Sequence, residues 1–347
     1  MREGKELILA TKPYASENRS SSWKHLWITL VLLVAALSAT LLLPFFVAKL
    51  AASILSGLLV VRMFVIYHDH QHHTILQNSV LAEGIMTIFG LYILAPTSIW
   101  KRSHDYHHKH NSKLFSASIG SYPIATRQKF EQMSGKERRA YLFTRHPLTI
   151  LAGYLSMFMI GMCLQSFTSS PKKHWDSLLA LILHIGGSAA VIIFLGWQAW
   201  ALFIVIPFTI ACGIGAYLFY AQHNFPGVTF KENEDWCYHD AALLSSSYML
   251  MSPMMNWFTA NIGYHHIHHL NARIPFYKLP QVMAEIPELQ TAKTTSLGIK
   301  DIIACCKLKI WDSQLQRMIT LREAAALRGT PCTPAKPVYA VVTSKVM

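Results

Sequence analysis

Histidine is the residue type on which this chain concentrates its chemistry. His68 and His72 stand in "YHDHQHH" (67–73) as H-x-x-x-H. His104, His107 and His108 stand in "SHDYHHKH" (103–110) as H-x-x-H-H, and His265, His268 and His269 repeat that spacing in "HHIHH" (265–269). On an α-helix, positions i, i+3 and i+4 share one face, so each cluster presents two or three imidazoles toward a common point. That is the spacing a metal site needs. Histidines also collect at solvated helix ends, but three clusters, each beside an apolar run and two with one spacing, favour a shared site. Imidazole suits Zn, Cu, Fe and Ni, so the ligand type alone does not choose the metal. Eight histidines exceed the capacity of one ion and point to two. No cluster carries the cysteines of a structural zinc site.

The elements that must position these residues are set by composition. The 347 residues are 52% hydrophobic and only 14% charged, with a net charge of +13, and the mean hydropathy is +0.29. This is a membrane-class chain. The positive balance suits anionic headgroups, an acidic protein partner or cytosolic loops, and no basic patch of the nucleic-acid-binding kind is visible. Six cysteines fall in no regular frame, so neither a disulfide scaffold nor a zinc ribbon is indicated. Residues 1–25 read as a retained polar cytosolic tail, 26–290 as the membrane domain, and 291–347 as an amphipathic C-terminal helix over about 299–328 followed by a flexible tail.

The three clusters, in this order and with hydrophobic hairpins between the second and third, resemble the histidine boxes of the integral-membrane fatty acid desaturases, a non-haem di-iron family that includes related hydroxylases. "FYAQHNFPG" (219–227), "SSSYML" (245–250) and "WFTANIGYHHIHHLNARIPFYKLP" (257–280) are similar to the text of its bacterial acyl-lipid-type members. The resemblance implies His68, His72, His104, His107, His108, His265, His268 and His269 as iron ligands, with His223 of "AQHN" as a ninth. Some relatives space the first box as H-x-x-x-x-H, which would replace His72 by His73. His70, His110 and His266 lie off the family pattern. Asp69, Asp105 and Asn261 are placed to accept the second N–H of a ligating imidazole. Two iron ions with O₂ as co-substrate would introduce a C=C bond into an acyl chain, with a lipid-borne chain favoured. Electrons would come from a ferredoxin or a small haem cytochrome, since the chain shows no haem-binding "HPGG" segment and no cysteine-rich cluster motif. A di-iron hydroxylase of an acyl chain or alkane uses the same boxes. From a different class, a haem electron carrier or a metal-binding membrane protein remains open.

A shared site also fixes parity, because all three boxes must emerge on one membrane face. With the basic N-terminus in the cytosol of a bacterial cell, the inner membrane is crossed by Leu26 to Pro44 and Lys49 to Tyr67, then by Leu178 to Phe194 and Trp197 to Tyr220. Leu81 to Trp100 and Leu148 to Phe167 must not cross. The expected fold is an all-α membrane protein with four transmembrane helices in two hairpins, re-entrant or interfacial helices, and a cytosolic helical cap that holds the di-iron site. Arg62 is expected to snorkel to the interface, Trp236, Trp257, Phe276 and Tyr277 to sit at headgroup level, and His184 to bond a helix carbonyl.

Overall fold

The computed structural model describes residues 2–114, 120–232 and 234–328. A short helix, α1 (Gly4–Thr11), precedes α2 (Arg19–Leu42). The Asn18 side chain caps α2 by accepting from the Ser21 N–H at 3.0 Å. Leu43 leaves the helix with extended backbone because Pro44 follows it, and α3 (Phe46–Gln71) returns along α2. Helix α4 (Val80–Tyr92) and α5 (Thr97–His110) are bent by 91° at the segment holding Pro96.

Then come α6 (Arg127–Gln132), α7 (Gly135–Thr144), α8 (Pro147–Leu151), a wide π-type helix (Tyr154–Gln165) and α9 (Ser166–Ser169). The longest apolar stretch follows, as α10 (Trp175–Trp200), a second π-type segment (Ala201–Val205) and α11 (Ile206–Ala221). It reverses at Gly196, whose φ of 86° and ψ of 166° lie where L side chains are strained. The reversal is measurable: the His184 and Phe208 rings lie 4.8 Å apart, whereas a straight helix would separate residues that far apart in sequence by about 36 Å. Helix α11 packs tightly on α3 at Gly57, where a Cβ would stand 2.8 Å from Ile210 Cβ.

Three helical stretches among the described residues are long and apolar enough to cross a membrane: Arg19–Leu42, Phe46–Gln71 and Trp175–Ala221, with the bent pair α4–α5 a fourth if counted as one span. Their outer faces are apolar, with Val31, Ile193 and Phe194 exposed by 63%, 75% and 81%. That surface suits hydrocarbon, not water.

The remaining chain builds a cap over one end of these helices: α12 (Tyr238–Leu244), α13 (Pro253–Phe258), α14 (His265–Leu270), α15 (Leu279–Glu285), α16 (Ile299–Lys307) and α17 (Leu321–Ala326). The N-terminal tail is fastened to this cap. Arg2 pairs with Glu288 at 2.9 Å, and the Asn18 N–H donates to the Tyr277 hydroxyl at 2.9 Å.

The cap departs from an all-α fold. Strands β1 (Ala125–Thr126), β4 (Leu308–Asp312) and β5 (Arg317–Thr320) form a sheet in the order β1-β4-β5, while β2 (Tyr248–Leu250) pairs in parallel with β3 (Thr294–Ser296). The expected single helix over 299–328 is therefore α16, a hairpin and α17. Asp312 Oδ1 accepts from the Gln314 and Leu315 N–H groups, closing the turn, and the side chains of Ile310, Trp311 and Ile319 are fully buried. The tail from 329 onward lies outside the described residues.

Arg62 does not snorkel outward. It is 2% exposed, donates to Thr29 Oγ1 at 3.1 Å and to the Trp257 carbonyl, faces His25 Nδ1 at 3.1 Å, and lies 4.1 Å from the Trp257 ring centroid. Phe276 is buried against His25 and Tyr277 stacks on it, so these rings join the cap to α2 instead of forming a headgroup belt. Trp236 donates to the Asn111 carbonyl at 2.8 Å, which ties it to the end of α5. His184 bonds the Tyr154 hydroxyl, not a helix carbonyl.

Candidate metal centre

The first two histidine clusters lie where α3 and α5 end beneath the cap, and the third lies on the cap helix α14 itself. His68 is on the last turn of α3 and His72 is its C-cap, so the i, i+4 pair shares a face. His104, His107 and His108 lie on the last two turns of α5, and His265, His268 and His269 line one side of α14. His223 follows α11 by two residues. Polar ties lock these ends together. Lys101 Nζ donates to the Gln71 carbonyl at 3.0 Å, Gln222 Nε2 to the Ile262 carbonyl at 2.8 Å, and Tyr238 Oη to the His269 carbonyl at 2.6 Å.

The side chains converge into two adjacent groups. One holds His68, His72, His104, His108 and His268, the other His107, His223, His265 and His269, and within each group one ring nitrogen per residue lies within 4.8 Å of the others. The groups touch through the stacked rings of His108 and His269, 4.3 Å apart. Nε2 atoms face one another at hydrogen-bond distance: His72 to His104 at 2.9 Å, His268 to His108 at 3.1 Å, His265 to His223 at 2.9 Å and His107 to His269 at 3.2 Å.

This donor set fits metal cations. Burial, reinforced by the surrounding imidazoles, holds His72, His265, His268 and His269 well below the ordinary histidine value, and burial takes His223 down to about 4 against the Ser245 carbonyl that raises it. Neutral imidazoles with nitrogens in mutual contact cannot satisfy every lone pair with shared protons. A cation at the centre of each group satisfies them at once.

Three of the nine rings are aimed from behind. Asp69 Oδ1 lies 3.0 Å from His68 Nδ1, Ser121 Oγ 3.0 Å from His107 Nδ1, and the Ser245 carbonyl 2.9 Å from His223 Nδ1. Asp69 thus stands where the sequence placed it. Asp105 and Asn261 do not: one position beyond His104, Asp105 is turned about 100° round the helix and pairs with Lys101 at 3.1 Å. Asn261 takes a left-handed backbone, φ 59°, and donates to the Phe276 carbonyl at 3.1 Å. Ser121 and Ser245 were not anticipated, because neither belongs to a histidine motif and their approach depends on tertiary folding.

The neighbouring histidines point elsewhere. His73 has φ 56° and bonds Gln77 Oε1 at 2.7 Å, so the H-x-x-x-H pair, not the longer spacing, converges. His70 lies 3.7 Å from Glu83, His110 bonds the Tyr106 carbonyl, and His266 bonds the Leu289 carbonyl at 3.2 Å.

A cavity of about 1360 Å³ runs up to the site. His68, His104 and His265 are part of its lining, together with the apolar rings of Phe64, Trp100 and Phe158.

A helical chain with membrane-capable helices and two touching histidine groups defines the class: a membrane protein with a candidate dinuclear, all-nitrogen metal centre. The fatty acid desaturase family model matches residues 44–296, which contain all nine converging histidines, and the chain belongs to that family. It is 27% identical to a fatty acid desaturase of Bacillus subtilis over 80% of this chain and 78% of that protein. It is also 27% identical to an sn-1 acyl-lipid omega-3 desaturase (ferredoxin) of Synechocystis, over 65% of this chain and 64% of that protein. An sn-1 oleoyl-lipid 12-desaturase of Anabaena variabilis is 22% identical over 78% of each chain. The chain is a membrane fatty acid desaturase, an oxidoreductase that works on fatty acyl chains.

Proposed function

We propose that the nine converging histidines hold two irons and that the substrate is an acyl chain carried on a membrane lipid. The observation that carries the reading is that members of both histidine groups, His68 and His104 of one and His265 of the other, line the large cavity. In this assignment His68, His72, His104, His108 and His268 hold one ion, and His107, His223, His265 and His269 the other. The names of the relatives, acyl-lipid and oleoyl-lipid desaturases, support a lipid-borne chain.

When bound, the iron pair supplies the oxidising power, drawn from O₂ and two electrons, that removes two hydrogens from adjacent methylenes. The protein's own contribution is positioning and protection. Phe64, Trp100 and Phe158 give the chain an apolar, water-poor wall, which selects one C–C bond by where the cavity ends against the histidines. Asp69 and Ser121 keep the second ring nitrogens of His68 and His107 occupied, so each ring offers Nε2 inward. A hydroxylase would need the same residues, and no feature of the cavity favours it. A haem carrier would need facing axial histidines, whereas His184 is engaged by Tyr154.

The electron donor is proposed to be an external carrier such as a ferredoxin or a small haem cytochrome. The net charge of +13 suits an acidic partner, and one relative's name includes ferredoxin. The proposed topology has four crossings of the bacterial inner membrane, α2, α3 and the two arms that meet at Gly196, with N-terminus and boxes in the cytosol. The pairing of Arg2 with Glu288 in the cap supports a common side for both. Expression in a host lacking polyunsaturated chains, followed by lipid analysis, tests the substrate. New double bonds in phospholipid acyl chains are expected for the wild type, and none for His265→Ala.

A further inference from the structure

The cavity has polar, cationic residues in its lining that the chemistry of a hydrocarbon chain does not require. Arg102, Lys173, His174, Ser169 and Ser170 line the same cavity as His68 and His104. Arg102 is on α5 two residues before His104, but it faces away from the histidine groups and is exposed. Lys173 is exposed on the loop between α9 and α10. Neither side chain has a hydrogen bond or ion pair among the described residues, whereas the nearby Lys101 is paired with Asp105.

The loop that carries Lys173 is fixed in place. His174 Nδ1 lies 2.8 Å from Ser98 Oγ, and the Asp176 carboxylate accepts from both the Ser98 hydroxyl, at 2.5 Å, and the Ser98 N–H, at 3.2 Å. The Asp176 carboxylate is thus engaged with α5, the Asp105 carboxylate with Lys101, and neither lines the cavity. Ser98, which bonds His174, stands one helical turn before Arg102 on α5, so the two share a face and the guanidinium is on the side of α5 that meets this loop. Two cations with no hydrogen bond or ion pair among the described residues and two hydroxyls thus line the same cavity as the metal-capable histidines.

The cavity's flank says how a ligand arrives. Leu148, Leu155 and Ile160 line it and are exposed apolar residues, so its opening lies on the same kind of surface that faces hydrocarbon elsewhere in the molecule. A chain delivered by a soluble carrier would not need such a flank. A lipid whose tail slides in from the bilayer would, and its phosphodiester would remain at the interface.

We propose that Arg102 and Lys173, with Ser169 and Ser170, form a phosphate-binding subsite for the headgroup of a phospholipid whose acyl chain occupies the cavity. It rests on the acyl-desaturase reading and names the lipid class. Arg supplies a bidentate fork and Lys a point charge, the two usual ways of holding a phosphate. The anchored phosphate then sets the depth to which the chain reaches the histidines.

The test is equilibrium binding to the full-length protein in detergent micelles, using labelled phosphatidylglycerol, a labelled diacylgalactolipid with the same chains but no phosphate, and labelled acyl-coenzyme A. The wild type should prefer phosphatidylglycerol over the galactolipid by about tenfold, the size expected of two interfacial charge contacts. R102Q/K173Q should lose that preference while its galactolipid affinity is unchanged. A wild type without preference, a preference that survives the double variant, or an equal loss for both lipids would overturn the subsite. Acyl-coenzyme A that binds tighter than the phospholipid, and loses as much in the variant, would contradict the phospholipid assignment. Binding is read without turnover, so a wild type that prefers phosphatidylglycerol but desaturates no chain would count against the desaturase reading and leave the subsite standing.

Discussion

Asp69 Oδ1 lies 3.0 Å from His68 Nδ1, although the two residues are neighbours in sequence, and its other oxygen accepts the Phe276 N–H at 2.8 Å. One buried carboxylate thus orients a ring of the first box and anchors the chain just beyond the third. Asp69→Asn keeps the shape but removes the charge that makes His68 a stronger donor. Metal affinity is expected to fall about 10- to 100-fold, as such supporting partners usually cost. Iron retention during dialysis against a graded chelator checks it; retention equal to wild type would contradict it.

His72 and His73 make an adjacent pair with opposite roles. His72→Ala removes a nitrogen from the five-histidine group and should abolish desaturation, whereas His73→Ala loses a contact with Gln77 and should keep more than about half of the activity. Lipid profiles of cells that express each variant decide between the two spacings. Equal loss in both would remove the distinction.

His223 belongs to the four-histidine group alone. His223→Ala should lower the iron content of the purified protein from about two per chain toward one, because a three-imidazole remnant holds the second ion weakly. Metal analysis reads this directly. Two irons retained at full affinity would exclude His223 as a ligand.

Gly57 lets α3 and α11 approach until a Cβ would stand 2.8 Å from Ile210 Cβ and 3.0 Å from the Pro207 carbonyl. Gly57→Leu overpacks this contact and is expected to destabilise by about 1–3 kcal/mol. A lower thermal midpoint in detergent is the readout, with an unchanged midpoint the contrary result.

Lys309 is buried in β4, where burial and then the Arg145 charge bring it down to about 8 from the usual lysine value. Between about pH 8 and 10.5 the unfolded chain holds a proton there that the folded chain has released, so this group makes stability rise with pH across that window. Below pH 8 the folded state carries the buried cation in full. Lys309→Met should flatten the difference in thermal midpoint between pH 7.5 and 9.5. An identical slope in both proteins would refute the assignment.

The legible parts of the site were those set by local helix geometry. Box residues at i, i+3 and i+4 share a face whatever the rest of the chain does, so eight converging histidines could be read from spacing, while His223 came only through family resemblance. The partners of their second nitrogens depend on helix rotation and loop closure. Asp69 met that condition; Asp105 faced Lys101, and Ser121 arrived from a loop no pattern marked. In the fold, the turn at Gly196 was legible because glycine interrupts two apolar runs. The hairpin at 308–320 was not, because its apolar residues also satisfy a helical period until Asp312 caps the turn.

The central claim is a two-iron centre built from these nine histidines. Metal analysis of the purified full-length protein, together with its optical spectrum, tests it most directly. About two irons per chain without a haem absorption band is the predicted result; haem, or a single zinc, would contradict it.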